Sequence, residues 1–212
     1  MSKLNLEYYN KQAFSFIINE QTDGYLKGTI ELSDELRTAF FEIQHEMDEE
    51  YFDRIDAMQY ALAHDDGQAY WNLKEADIIL LGVSRTSKTP TCIYIANRGL
   101  KAANVPYVPG VALPDELMEI GEFPGPLVVG LTKDPKSLVQ IRKNRLRSLN
   151  EDDNTDYIDI ETVKQEVIGC RRVCAEHGWP VIDVSRRSIE ETAAAAIKLY
   201  ETRQSKRIGD NI

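Results

Sequence analysis

One stretch of sequence decides the fold of this chain: Asp77-Ile78-Ile79-Leu80-Leu81-Gly82-Val83, followed by Ser84-Arg85-Thr86-Ser87-Lys88-Thr89-Pro90. A continuous apolar run such as residues 77–83 is typical of a strand that is covered on both faces in a parallel sheet. Thr89 suits the N-cap of a following helix, and Pro90 suits its first helical position. The stretch therefore predicts a buried strand, a tight polar loop and a helix.

The polar loop has most of the spacing of a P-loop, in which glycine is followed by four residues and then by Gly, Lys and Ser or Thr. Gly82, Lys88 and Thr89 match this pattern, and Ser87 stands where the second glycine is expected. Because Ser87 must adopt backbone angles that glycine usually takes, the loop can depart from the usual P-loop path.

The residue types of the loop suit phosphate chemistry. Backbone amides at a helix N-terminus attract an anion, and the helix dipole assists them. Lys88 supplies a point charge for phosphate oxygens, Arg85 supplies a forked donor, and the Thr89 hydroxyl can bind Mg²⁺. The alternative is an ordinary strand-to-helix turn with a polar cap. We expect the nucleotide phosphates to contact Gly82, Val83, Ser84, Arg85, Thr86, Ser87, Lys88 and Thr89.

Strand and helix patterns alternate over residues 77–204. Further strands are predicted at 104–108, 127–131 and 180–184, and helices at about 134–149, 161–177 and 188–204. This order predicts an α/β fold with a mainly parallel sheet, helices on both faces and a P-loop-like nucleotide-binding domain. Before residue 77, the patterns predict a strand at 14–18, a turn at 22–24 and helices at 33–41 and 47–64.

The bulk composition argues against several classes of protein. A net charge of −10 weighs against a general nucleic-acid binder, which usually carries a basic footprint. The sequence contains no uninterrupted apolar run of the roughly 18 residues that a transmembrane helix needs, and its first 20 residues do not form a secretory signal. Three cysteines without framework spacing favour a reducing compartment, so we expect a cytoplasmic protein without a membrane partner.

Several residues outside the loop are candidates with two interpretations. His64, Asp65 and Asp66 could supply a general base or Mg²⁺ contacts, or they could form a helix C-cap. Asp183 is either a ligand-side carboxylate or part of the turn before the last helix. Cys170 and Cys174 form half a metal site or a small apolar stripe.

The helix around residues 142–147 is basic in an acidic protein. Arg142 and Arg145 are three residues apart and share a helix face, so they could bind phosphate. The alternative is a solvated face that pairs with the acidic residues 151–153. Arg186 and Arg187 precede the last helix and could neighbour the same site.

Residues 76–91 resemble the pyruvate, phosphate dikinase regulatory proteins of bacteria and plants and the related phosphoenolpyruvate synthase regulatory proteins. The resemblance extends over about residues 45–203 in consistent order. It is carried further by residues 60–67, 103–109, 127–132, 141–146, 179–184 and 188–192.

The resemblance implies a bifunctional serine/threonine kinase and phosphorylase. Such an enzyme phosphorylates a threonine of the dikinase with ADP as donor, and removes that phosphate with inorganic phosphate, releasing pyrophosphate. Its partners are pyruvate, phosphate dikinase or phosphoenolpyruvate synthase, and the oligomeric state, including a homo-oligomer, stays open. Lys88 and Arg85 would act on the phosphates, Thr89 would hold the metal, and His64, Asp65 or Asp66 would position the reacting hydroxyl or phosphate.

The family comparison also suggests a domain division. Members usually carry a longer N-terminal domain, so residues 1–45 are interpreted as a remnant of that domain, 46–204 as the kinase and phosphorylase domain, and 205–212 as a disordered tail. Two other functions remain open: a nucleotide-binding module without catalysis, and a small-molecule P-loop kinase. The absence of an evident lid segment and of a glycine before Lys88 argues against the second of these.

Overall fold

The computed structural model describes residues 14–22, 25–32, 50–120, 125–149 and 156–210. The predicted helix at 33–41, residues 47–49 of the predicted helix at 47–64 and most of the predicted turn at 22–24 lie outside these residues. The chain divides into two compact units, Met1–Tyr51 and Phe52–Ile212.

The first unit contains an antiparallel β-hairpin. Strand β1 covers Phe14–Thr22 and strand β2 covers Tyr25–Leu32, with a register shift between Ile18 and Glu20. Sequence analysis predicted only the first half of β1, and it missed β2.

The second unit is an α/β layer structure, which confirms the predicted fold class. Its sheet is entirely parallel, with the strand order β4-β3-β5-β6. The strands are β3 (Ile78–Gly82), β4 (Ala102–Pro106), β5 (Leu127–Thr132) and β6 (Val181–Asp183). The helices are α1 (described over residues 50–63), α2 (Lys88–Ala96), α3 (Asp115–Met118), α4 (Pro135–Leu149), α5 (Ile160–Glu176) and α6 (Ile189–Asp210), with 3-10 turns at Tyr70–Glu75 and Asp156–Ile158.

Apolar side chains of β3 pack against helices on both faces of the sheet. Ile78 and Leu80 belong to a core shared with α1, α2 and α6, whereas Ile79 and Leu81 belong to a core shared with α4 and α5. All four of these side chains have no solvent exposure. This double burial explains why the segment is a continuous apolar run rather than an alternating one.

Three predicted boundaries need correction. Helix α2 begins at Lys88 with Ser87 at its N-cap, so Thr89 is not the cap and Pro90 is not the first helical residue. Pro90 still lies within the first turn, where its missing N–H is not needed for a helical hydrogen bond. The strand predicted at 104–108 lies at Ala102–Pro106, and α6 continues through Asp210 instead of ending at residue 204.

No helix in the part of the chain that the structure describes combines the length and apolar character needed to cross a membrane.

A close approach between β5 and α5 gives a test of this packing. A Cβ added to Gly130 would lie 2.5 Å from Cys174 Sγ and 3.2 Å from Val181 Cγ2. We therefore expect Gly130→Ala to lower the free energy of unfolding by about 1–3 kcal/mol, because the core would be overpacked. Urea denaturation measures this change.

The matched control is the double variant Gly130→Ala/Cys174→Ala, in which the clashing sulfur is removed. It should lose less stability than the sum of the two single variants. Strict additivity of the two losses would contradict the contact.

Candidate phosphate-binding site

The loop after β3 turns sharply because two of its residues have left-handed backbone angles. Arg85 has φ 70° and Ser87 has φ 65°. Ser87 therefore adopts the angle that glycine would supply in a P-loop, as its position suggested. At the start of the loop, a Cβ on Gly82 would lie 2.7 Å from the carbonyl oxygen of Leu131 and 2.9 Å from Thr86 Oγ1, so only glycine fits.

Lys88 lies under this loop with its side chain almost fully buried. Its ammonium group donates a hydrogen bond to the carbonyl oxygen of Val83 at 3.1 Å. Burial lowers the pKa of Lys88 to about 8, although Asp66 and Asp65 oppose the shift electrostatically. The loop thus holds a desolvated cation at the start of α2, where the helix dipole also favours an anion.

Three side chains from separate segments meet beside Lys88. The Thr89 hydroxyl donates to Asp65 Oδ1 at 2.8 Å, and Asn104 Nδ2 donates to the same oxygen at 2.6 Å. Asn104 Nδ2 also donates to Thr89 Oγ1 at 3.1 Å. These contacts join the turn after α1, the first turn of α2 and strand β4 into one cluster.

The turn that carries Asp65 is attached to β4 by its backbone. The Asn104 amide donates to the carbonyl oxygen of His64, and the Gly67 amide donates to the carbonyl oxygen of Asn104. A Cβ on Gly67 would meet the Tyr70 hydroxyl, and φ at Gly67 is +80°. This attachment holds both carboxylates beside the loop.

The loop and this turn enclose a cavity of ≈ 460 Å³. Asp66 lies at its rim in a left-handed conformation, with φ 50°. Within the described ranges, no group donates a hydrogen bond to the Asp66 carboxylate, in contrast to that of Asp65. The polar groups that line the cavity belong to Asp65, Asp66, Ser84, Arg85, Ser87, Lys88, Thr89, Asn104 and Lys133.

His64 is not brought to this cavity, although sequence analysis grouped it with the two aspartates. Its ring is buried and stacks on the Tyr60 ring at a centroid distance of 3.8 Å. Nδ1 donates to the carbonyl oxygen of Tyr60 at 2.8 Å, and Nε2 contacts the side-chain amide of Asn72. The alternative interpretation as a helix C-terminal residue describes His64 correctly.

Arg142 supports the loop at Ser84 and does not line the cavity. Its guanidinium is 1% exposed and forms a bidentate pair with Glu166, the shorter contact being 2.6 Å. It also donates to the carbonyl oxygens of Ser84 and Tyr157. Arg142 is therefore buried and paired within the protein rather than on a solvated face, and it does not line the cavity. Residues 151–153, its alternative partners, lie outside the described residues.

Tyr157 connects Arg142 to the loop side chains. Its ring lies 4.5 Å from the Arg142 guanidinium, and its hydroxyl is 3.1 Å from Ser84 Oγ. Arg85 Nε donates to the same hydroxyl at 3.4 Å, so Arg85 reaches the outer side of the loop. The Arg145 side chain is exposed.

The other candidates lie away from the cavity. Asp183 accepts hydrogen bonds from the Ser185 amide and hydroxyl, so it forms the turn before α6. Arg186 and Arg187 line a separate cavity with residues of α6. Cys170 and Cys174 are buried in the core, which agrees with the apolar stripe, and no group of three metal-ligating side chains occurs among the described residues.

Sequence reasoning missed Asn104, Tyr157, Glu166 and Lys133. Asn104 gave a signal that could have been used, because an amide in the middle of an apolar strand needs a polar partner. Glu166 gave none, since a partner 24 residues away cannot be inferred from helix periodicity.

The kinase/pyrophosphorylase family model matches residues 18–197. This chain belongs to that family. The match covers the second half of β1, all of β2, the loop, the aspartate turn and all four strands of the parallel sheet.

Several relatives of this chain carry the assigned name pyruvate, phosphate dikinase regulatory protein. One from Paramagnetospirillum magneticum is 58% identical over 164 residues, which are 77% of this chain and 52% of the relative. One from Caulobacter vibrioides is 55% identical over 163 residues, or 77% and 51%. One from Novosphingobium aromaticivorans is 58% identical over 160 residues, or 76% and 56%. The chain therefore spans about half the length of the curated relatives it matches.

The pairing of Arg142 with Glu166 leads to a stability prediction. Arg142→Met leaves Glu166 as an uncompensated, largely buried charge, so the free energy of unfolding should fall by about 3–5 kcal/mol. Arg142→Met/Glu166→Leu should recover part of this loss, because no unpaired charge remains. Urea denaturation of both variants checks the result. The exposed Arg145→Met is the matched control and should change stability by less than about 0.5 kcal/mol.

The buried ammonium of Lys88 makes stability depend on pH in a defined window. The folded-state pKa is about 8 and the reference value is 10.5, so the unfolded state binds more protons between these values. The free energy of unfolding of the wild type should therefore rise with pH through this window, relative to Lys88→Met. At pH 7 Lys88→Met should be the more stable protein, by at most about 3 kcal/mol.

Urea denaturation at pH 7, 8, 9 and 10 would follow this difference, which should shrink as the pH rises. The exposed Lys136→Met serves as control and should show a constant difference from the wild type. A constant difference for Lys88→Met as well would contradict the lowered pKa.

Proposed function

We propose that this chain forms the nucleotide-binding and phosphoryl-transfer part of a bifunctional regulatory enzyme. It would phosphorylate a threonine of pyruvate, phosphate dikinase with ADP, and remove that phosphate with inorganic phosphate, releasing pyrophosphate. The observation that carries the proposal is the convergence of Lys88, Thr89, Asp65 and Asp66 on one cavity at the carboxyl end of the sheet. The names of its relatives support the choice of target.

The phosphates of ADP would bind at the loop Gly82–Thr89. The loop amides before and within the first turn of α2 have no helical acceptor, so they are available to phosphate oxygens. The Lys88 ammonium lies among them, and its desolvation strengthens its attraction for an anion. Binding ADP would replace the missing solvent around this cation, and would therefore favour its charged form.

The residues beside the loop fit a Mg²⁺ ion. Mg²⁺ prefers oxygen ligands and commonly combines one or two carboxylates with substrate phosphates and water. The Thr89 hydroxyl, the Asp65 carboxylate and Asn104 Oδ1 supply such oxygens. Asn104 Oδ1 is buried and has no hydrogen-bond partner among the described residues, so this site offers an acceptor without a donor. When bound, the ion would neutralise charge on the phosphates during transfer.

Asp66 is the residue best placed to accept the proton of the attacking hydroxyl. Asp65 already accepts hydrogen bonds from Thr89 and Asn104, whereas the Asp66 carboxylate is exposed at the cavity rim. In the forward reaction the threonine oxygen would form a bond to the β-phosphorus of ADP as the bond to the bridging oxygen breaks. AMP leaves, and Asp66 takes the hydroxyl proton.

The reverse activity would use the same groups. An oxygen of inorganic phosphate would attack the phosphorus of phosphothreonine, and the threonine oxygen would leave with a proton from Asp66. Arg85, at the outer side of the loop, would bind charge on the phosphate groups in either direction.

A transfer assay tests the proposal. The chain is incubated with ADP, Mg²⁺ and phosphohistidine-charged dikinase, and the dikinase active-site peptide is examined by mass spectrometry, with phosphoenolpyruvate synthase as a second target. Phosphothreonine should appear with the wild type and be absent with Lys88→Ala. Asp66→Asn should slow transfer about a hundredfold or more, with ADP affinity nearly unchanged.

Asp53→Asn is the matched control, because Asp53 is an exposed acid on α1 away from the cavity. Full activity of Asp66→Asn would remove Asp66 from the mechanism. Tight ADP binding without phosphothreonine on either target would overturn the enzyme assignment and leave a nucleotide-binding module.

A further inference from the structure

Lys133 brings a further cation to the phosphate cavity from the neighbouring strand. It follows the last residue of β5, whose Leu131 pairs with Gly82 at the start of the loop. Its side chain is half-buried and lines the same cavity as Lys88 and Asp66. Lys133 lies outside the P-loop pattern of residues 82–89, and it forms no hydrogen bond with that loop among the described residues.

The acids near Lys133 are already engaged. Asp134 accepts hydrogen bonds from the amide and hydroxyl of Ser137, at 2.9 and 3.0 Å. Asp183 accepts from Ser185 and pairs with Arg171 at 3.7 Å. Within the ranges that the structure describes, the Lys133 ammonium has no ion pair or hydrogen bond, so its charge is available to a ligand.

The three cations that line the cavity come from different places in the fold. Lys88 lies under the loop and is held by the Val83 carbonyl, whereas Arg85 reaches outward to Tyr157. Lys133 comes from β5, on the side opposite to β4 and its Asn104. A phosphoryl group that leaves the loop toward an acceptor carries negative charge on three equatorial oxygens, which one buried lysine cannot surround.

We propose that Lys133 is a catalytic residue that binds the terminal phosphoryl group of a nucleoside diphosphate during transfer. The inference rests on the proposed function, both for the binding of ADP at the loop and for the transfer step. Lys133 exchanges no proton with the substrate. It stabilises charge while the bond from the β-phosphorus to the bridging oxygen breaks and the new phosphorus–oxygen bond forms.

Calorimetric titration with ADP and with AMP tests the binding half of the proposal without requiring catalysis. Lys133→Met should weaken ADP binding about tenfold or more, because a charge-assisted hydrogen bond to the terminal phosphate is lost. AMP lacks that phosphate, so its affinity should stay within about twofold. Lys133→Arg should retain most of the preference for ADP, since the charge is kept.

A neighbouring lysine provides the matched control. Lys133 also lines an adjacent cleft of ≈ 320 Å³, and Lys164 lines that cleft without reaching the phosphate cavity. Lys164→Met should bind both nucleotides like the wild type. If Lys133→Met does not fold, as judged by circular dichroism, Lys133→Gln takes its place, with the same loss expected for ADP.

The transfer assay adds a second readout. At saturating ADP, turnover of Lys133→Met should fall about a hundredfold, as when one electrostatic donor to the transition state is removed. Equal affinity of the wild type and Lys133→Met for ADP would overturn the proposal, as would an equal loss of ADP and AMP binding. If the wild type transfers no phosphate, the proposed function fails, and the comparison of ADP with AMP still decides the role of Lys133.

Discussion

The parallel hydrogen bonding of β3 to β4 on one side and β5 on the other is the constraint on which the site depends. It brings the loop that follows β3, the amide of Asn104 on β4 and the ammonium of Lys133 after β5 to one edge of the sheet. The carboxyl ends of adjacent parallel strands are a recurrent place for ligands, because loops from neighbouring strands diverge there and leave a crevice. The crevice here requires Gly82, since a side chain would meet the Leu131 carbonyl.

Two buried cations near the loop, Arg142 and Lys88, differ in how far their charges are satisfied by other residues of the protein. Arg142 is matched by the bidentate carboxylate of Glu166, so its charge is satisfied within the protein. Among the described residues, the Lys88 ammonium donates one hydrogen bond, to the Val83 carbonyl, and burial lowers its pKa. A buried charge without an internal counterion is costly, and such groups are common where a ligand supplies the missing partner. The two aspartates differ in the same way: Asp65 accepts hydrogen bonds from Thr89 and Asn104, whereas Asp66 accepts none from the described residues.

The sequence allowed the local part of the site to be predicted, but not the contacts between distant segments. The apolar run 77–83 and the glycine and lysine spacing indicated the strand, the loop and the helix, because those features depend on neighbouring residues. Arg142 and Arg145 looked equivalent at a spacing of three, yet the structure buries Arg142 against Glu166 of α5 and exposes Arg145. The partners Glu166, Tyr157 and Asn104 come from other elements, and only the assembled sheet shows that they meet. His64 was grouped with Asp65 and Asp66 by adjacency, although the chain turns between them.

Arg85 and Ser87 are non-glycine residues at positions with left-handed backbone angles. This choice of residue affects the entropy of the unfolded chain as well as the energy of the folded loop. A residue with a side chain samples fewer backbone states than glycine, so it loses less conformational entropy when the loop forms. Its strained angles cost about 1–3 kcal/mol per residue in the folded state, and the surrounding contacts must hold them in place. Compared with a glycine-rich loop, this loop has fewer accessible backbone conformations. In the proposed function, its amides would be arranged before a nucleotide binds, and little ordering of the loop would oppose binding.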